Sequence, residues 1–307
     1  MTSSSQGSLT QPQGLVDLPG YDLPGVVLRS WDAFIALVDE ADLSASTRLR
    51  GWTVREVAVH LGTWEGQSPL TLAVESLDAA GNSEPADPDT FNAGVVAAQV
   101  GATDDEVRGA LRASRDASAS FFESGSAREH GKRHVASVLG PMPLLTLVHS
   151  GCYELAVHAL DVAGTTGAAV DPRLLADGVA ALADSVGGLA ARSGIATTVQ
   201  IVDEAAGWAF TSSDNGAWTM RSITEKSAGP ALSGSAKDIL EAASGRADAP
   251  LLLARRRLHV SEPGGLLVLA PIIDQVPGVA GARALKAAAR GLSGVGSLLG
   301  HFRRGRS

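Results

Sequence analysis

Residues 144–164 read LLTLVHSGCYELAVHALDVAG, and the reading of this stretch decides the fold. It runs without an internal proline, Pro141 and Pro143 stand just before it, and Gly164 offers a terminating residue. The pattern predicts a long helix over about 144–163. Glu154 and His158 lie four residues apart, one turn above the other, and Asp161 continues the same face. Leu155, Val157 and Leu160 fall to the sides as core contacts. Polar side chains on a helix packed in an apolar bundle are costly unless bound or paired. A carboxylate and an imidazole at this spacing make half of a metal site.

Further helices surround it. Leu28, Trp31, Ile35 and Val38 form an apolar stripe at 3–4 residue spacing. Thr53-Val54-Arg55-Glu56 is a capping box opening a helix with the apolar face Val54, Val57, Ala58 and Leu61. An Asp/Pro/Asn-rich loop spans about 81–90. A second capping box, Thr103 to Glu106, opens a helix carrying Val107, Leu111, Ser114, Ala117 and Phe121. Four such helices without strand-like alternation predict a four-helix bundle.

The periodicity changes near 165–170. Asp171-Pro172 caps a helix through about 192, and three β-type segments follow at Thr197–Val202, Trp208–Ser212 and Ala217–Ile223. Ser235 opens a short helix and Arg257–Ser261 reads as a last strand. The expected class is therefore α plus α+β: a helical bundle over 26–168 and an α+β domain over 169–277. Residues 1–25, rich in Ser, Gln, Gly and Pro, are expected to be disordered. Residues 278–307 are expected to be a loosely docked Gly/Ala-rich basic tail.

Composition narrows the chemistry. The 307 residues carry 33 Asp+Glu against 25 Lys+Arg, a net charge of -8 that disfavours a nucleic-acid binder. One Cys excludes an intrachain disulfide and Cys-rich zinc motifs, so any metal must sit on His and carboxylates. No uninterrupted apolar run reaches membrane-spanning length and the first residues lack a secretory signal pattern, so a soluble cytoplasmic protein is expected. A monomer is the expected state.

Among the seven histidines, His60 sits between core positions Val57 and Leu61, one turn before Trp64. With Glu154 and His158 it gives two imidazoles and one carboxylate, a set that suits catalytic zinc with a fourth position open. Asp161 then fits as an outer acceptor orienting an imidazole, or as a fourth ligand closing a purely structural site. His149 points about 140° away from Glu154 around the helix. His130 and His134 read as surface residues, His259 as a solvent-facing strand residue, and Cys152 as a small buried one.

The segment Gly51-Trp-Thr-Val-Arg-Glu-Val-Ala-Val-His60-Leu61 resembles the N-terminal metal-binding signature of the mycothiol-dependent maleylpyruvate isomerase family, within the wider DinB-like four-helix bundles. Glu154-Leu-Ala-Val-His158-Ala-Leu-Asp161 is similar to its second signature, ExxxHxxD. The resemblance implies a divalent metal, usually zinc, on His60, Glu154 and His158. It also implies mycothiol as the co-substrate whose thiolate attacks a small electrophile, for isomerisation or S-transfer. Gly234 to Asp248, followed by Leu258-His-Val-Ser, is similar to a sterol-carrier-like C-terminal domain. The excess of Arg (21) over Lys (4) agrees with an actinobacterial source, where mycothiol is the main thiol.

Two features depart from the family. Gly151 stands where a basic residue is frequent, and an apolar run, Leu266–Ile273, replaces the usual closing turn. Trp64 reads as a pocket-lining residue or as core. The competing reading is a non-catalytic metal-containing module whose C-terminal domain holds a lipid or other apolar ligand.

Overall fold

The computed structural model describes residues 11–77, 88–137, 139–203 and 206–273. The expected basic tail at 278–307 and most of the expected 81–90 loop lie outside them. The helical part holds α1 (Leu23–Glu40), α2 (Val54–Leu61), α3 (Pro69–Ser76), α4 (Pro88–Ala98), α5 (Asp104–Glu123), α6 (Ser126–His130) and α7 (Leu144–Thr166). Three short strands lie among them: β1 (Gln13–Gly14), β2 (His134–Val135) and β3 (Met142–Pro143). After α8 (Pro172–Arg192) come β4 (Thr197–Val202), β5 (Gly207–Ser212), β6 (Trp218–Ile223) and β7 (Ala231–Gly234). Then follow α9 (Ala236–Ala243), α10 (Ala249–Ala254), β8 (Leu258–Ser261), α11 (Pro263–Leu267) and α12 (Ala270–Ile273). The chain thus has a helical N-terminal region and a C-terminal sheet domain.

The two capping boxes start α2 and α5 as read from the sequence. The Thr53 backbone N–H donates to Glu56 Oε2 at 2.7 Å, and that of Thr103 to Glu106 Oε2 at 2.6 Å. Each satisfies an amide that the first helical turn leaves without a partner. In α1 the buried face is Val26, Val27, Ser30, Phe34, Leu37 and Val38, so the expected stripe is rotated. Leu28, Trp31 and Ile35 flank that face, half-buried. Apolar residues nearly encircle this helix, so spacing alone does not select the inward side. Burying a side chain such as Phe34 completely contributes about 1.5–3 kcal/mol.

The α7 helix continues past the expected stop at Gly164. Its left-handed terminating residue is Gly167, at φ 72°, whose N–H bonds the Ala163 carbonyl. Helices α3 and α4 were not expected from the sequence pattern.

Helix α8 joins the two parts. It packs along α7 on one side and against β5 and β6 on the other. Its small residues permit the approach: a Cβ at Gly178 would stand 2.5 Å from Ala156 Cβ. By length and composition α8 is apolar enough to span a membrane, but 72% of that stretch is buried in the fold, as befits a core helix.

Strand order in the six-stranded sheet is β1-β6-β5-β4-β7-β8. The β1/β6 and β4/β7 pairs are parallel and the others antiparallel. The presence of β1 corrects the expected disorder of residues 1–25 for the part from residue 11. Gln13–Gly14 pair with Trp218–Thr219, and Leu15 is fully buried. The division expected near residue 168 falls in the turn between α7 and α8.

Candidate metal centre

Helix α2 ends by presenting His60, and the middle of α7 presents Glu154 and His158. One ligand atom from each of these three residues lies within 4.8 Å of the others. The His60 and His158 rings meet edge to face, centroids 5.3 Å apart. His158 Nε2 is 3.6 Å from Glu154 Oε2, too long for a hydrogen bond, so the donors converge on a common point without saturating one another. The Glu154 side chain is 53% exposed and that of His158 only 7%, so the cluster opens to solvent on the Glu154 side.

The other nitrogen of His158 is committed. Its Nδ1 lies 3.2 Å from Asp161 Oδ2, and a proton held there leaves the Nε2 lone pair free. Asp161 is fully buried and also accepts from Arg246 Nε at 3.2 Å and Nη2 at 3.1 Å, and from Arg48 Nη2 at 3.5 Å. Burial works to raise the Asp161 carboxyl, but hydrogen bonds and charge from His158 and Arg246 hold it below the usual carboxylate range.

His60 meets Trp52 edge to face at 5.6 Å and hydrogen-bonds the Asn92 side chain on α4. Loss of solvation first, then the neighbouring His158, pushes its pKa down to about 3, while Asn92 acts the other way. Near neutral pH His60 is thus an uncharged imidazole, the form that ligates metal. Two imidazoles and one carboxylate, with one imidazole already oriented by an aspartate, fit a divalent ion such as zinc.

The remaining candidates make other contacts. Trp64 is half-buried, packs against the core, and donates its indole N–H to the Val59 carbonyl at 2.9 Å. His134 and His259 are exposed. His149 is fully buried and its ring nitrogens are both spent, Nδ1 on Asp184 Oδ2 at 3.0 Å and Nε2 on the Tyr21 hydroxyl at 3.0 Å. Cys152 is 1% exposed, and burial pushes its thiol up to about 12.

Sequence reasoning missed Trp52, Asn92, Arg48 and Arg246 as neighbours of the site. Trp52 stands inside the first quoted signature and Arg246 inside the sterol-carrier-like segment, where their spacing gives no hint of what they touch. Arg48 and Asn92 carry no local signal at all.

Residues 26–163 match the family described as the mycothiol maleylpyruvate isomerase N-terminal domain. Among solved structures, a crystal structure of the mycothiol-dependent maleylpyruvate isomerase is similar at 17% identity and TM-score 0.48, covering 82% of this chain and 96% of that one. A histidine-to-alanine mutant is similar at 15% identity and TM-score 0.47, with the same coverage. No curated protein matches the chain.

Proposed function

We propose that this chain, whose residues 26–163 match the mycothiol maleylpyruvate isomerase N-terminal domain, is a metal-dependent, thiol-activating enzyme using mycothiol. The observation that carries this reading is the convergence of His60, Glu154 and His158 within 4.8 Å beside an exposed opening. Three protein ligands leave a coordination position for an exchangeable group, as in catalytic rather than structural zinc sites. A divalent metal bound there, zinc by the chemistry of the donors, supplies a position where a thiol, of pKa about 8.5 when free, is held as its thiolate.

The chain's own residues prepare that position. His60 contributes an uncharged imidazole, and Asp161 fixes the His158 ring with Nε2 forward. Glu154 adds the negative charge and borders the entrance. The sulfur itself must be imported, because the single cysteine is sealed in the core with a raised pKa. The thiolate of the co-substrate is then the nucleophile. Addition to an activated double bond, rotation and elimination would isomerise the substrate, and displacement of a leaving group would give S-transfer. In this reading the sheet domain is sterol-carrier-like and acts together with the bundle.

The test is mycothiol-dependent conversion of a small electrophile by the purified full chain, followed as thiol consumption with an alkylating agent and as cis–trans isomerisation without net thiol loss with an activated alkene. Turnover is expected with mycothiol and not glutathione, with loss on chelation and recovery on adding zinc. No turnover with any thiol, together with saturable binding of a fatty acid or sterol, would replace this reading with the non-catalytic carrier.

A further inference from the structure

We infer that Arg48 is a positioning residue for the metal centre, through which α9 of the sheet domain sets the affinity of His60, Glu154 and His158 for metal; the inference rests on the metal reading above. Arg48 lies in the connection between α1 and α2, and among the described residues it makes no hydrogen bond or ion pair with any of the three ligands. Its backbone N–H donates to the Asp161 carbonyl at 3.2 Å, and its Nη2 lies 3.5 Å from Asp161 Oδ1. Its Nη1 donates to Glu241 Oε1 on α9 at 2.6 Å. Glu241 is buried, with Lys237 Nζ at 3.9 Å as its other cation. One guanidinium thus ties a buried carboxylate of the bundle to a buried carboxylate of the sheet domain, as a planar fork with several donors can.

The sequence of α7 accommodates this arrangement. Gly164 stands one turn beyond Asp161 within the helix, and a Cβ there would lie 2.3 Å from Arg48 Cδ and 2.7 Å from Cγ and Nε. The Arg48 side chain therefore crosses α7 where the helix has no side chain. Glycine in a helix interior is unfavourable against alanine. The gap it leaves is filled by Arg48. Behind the ligand His158, the chain of contacts then runs His158–Asp161–Arg48–Glu241. A partner that bonds a ligand directly, as Asp161 does, typically changes metal affinity by about 10–100-fold when removed; Arg48 acts one contact further out, beside Arg246 Nη2 at 3.1 Å from the same carboxylate.

Zinc affinity of the full chain, measured by competition with a chromophoric chelator, tests the inference, with the visible spectrum of the cobalt-loaded protein as a second readout. Arg48→Met is expected to weaken zinc binding by about 3–10-fold, below the range for a partner that bonds a ligand directly, and to alter the cobalt bands. Arg48→Lys, which keeps the charge and loses the fork, should fall between Arg48→Met and wild type. Glu241→Gln should weaken binding about 3-fold, and the double variant should bind no worse than Arg48→Met, because Glu241 acts through Arg48. Gly164→Ala probes the same contact from α7: its Cβ must displace Arg48, so a purely structural role predicts a changed melting temperature with unchanged affinity. Weaker metal binding is expected instead.

Wild-type affinity in folded Arg48→Met, or additive effects in the double variant, would overturn the inference. If Arg48→Met fails to fold, wild-type affinity in both Gly164→Ala and Glu241→Gln overturns it. A wild-type chain that binds no zinc at all overturns the metal reading, and this inference with it.

Discussion

Helix α7 carries two buried histidines, each with an aspartate on Nδ1, and they do different things. His149 has Asp184 at 3.0 Å on one nitrogen and Tyr21 at 3.0 Å on the other. Asp184 is filled in turn by the Leu15 amide at 3.1 Å and the Trp218 indole at 2.9 Å. Every polar atom in that group is paired, and it fastens the N-terminal segment, α7, α8 and the sheet together. His158 has Asp161 on Nδ1, but its Nε2 faces Glu154 and His60 without a hydrogen bond to either. An imidazole held by an acid on one side is a tie when the other side is capped by a hydroxyl. It is free to act as a ligand when the other side meets further donors. The difference lies in the second partner.

Replacing each histidine should separate the two roles. His158→Ala is expected to abolish specific zinc binding and thiol-dependent turnover while the apo protein keeps its fold. Metal analysis beside a circular dichroism spectrum checks this, and retained zinc would erase the contrast. His149→Ala should do the reverse. It leaves Asp184 with a buried oxygen unpaired and costs about 3 kcal/mol in urea unfolding, with zinc content unchanged.

Tyr21→Phe removes only the hydroxyl cap of His149 and should cost about 1 kcal/mol by the same measurement. Zinc appearing at His149 in that variant would show that the cap, more than the surrounding core, keeps it from ligating.

The smallest effect is outside the comparison, at the start of the helix that delivers His60. Thr53→Ala should cost about 1 kcal/mol near neutral pH. Burial opposes ionisation of Glu56, but its hydrogen bonds from Thr53 hold the carboxyl below the usual range. A carboxylate depressed in the folded state contributes its stability above the unfolded pKa and loses it as pH falls through the folded value. The difference between wild type and Thr53→Ala should therefore shrink in acid, as pH-dependent urea melts would show.

The ligand half of this contrast was legible in the sequence because it is local. Glu154, His158 and Asp161 share one helix face by spacing alone, and His60 follows a capping box that sets the phase of α2. The tie was not legible, because its partners are far along the chain: Asp184 lies 35 residues from His149 and Tyr21 lies 128. The angle around α7 was enough to keep His149 from the ligand set, though not to say what it binds. A two-residue strand such as β1 has no periodicity to read, so the order of residues 11–22 depends on a sheet edge built 200 residues later. Arg48 shows the same limit. Its importance lies in Asp161, Gly164 and Glu241, none of which is near it in sequence.

The central claim, that His60, Glu154 and His158 form a metal site, is tested most directly by the metal content of the purified full chain beside His60→Ala and Glu154→Ala. About one equivalent of divalent metal per wild-type chain, with loss from both variants in a folded state, is the predicted result. Equal metal in all three proteins, or none in the wild type after exposure to zinc, would contradict it.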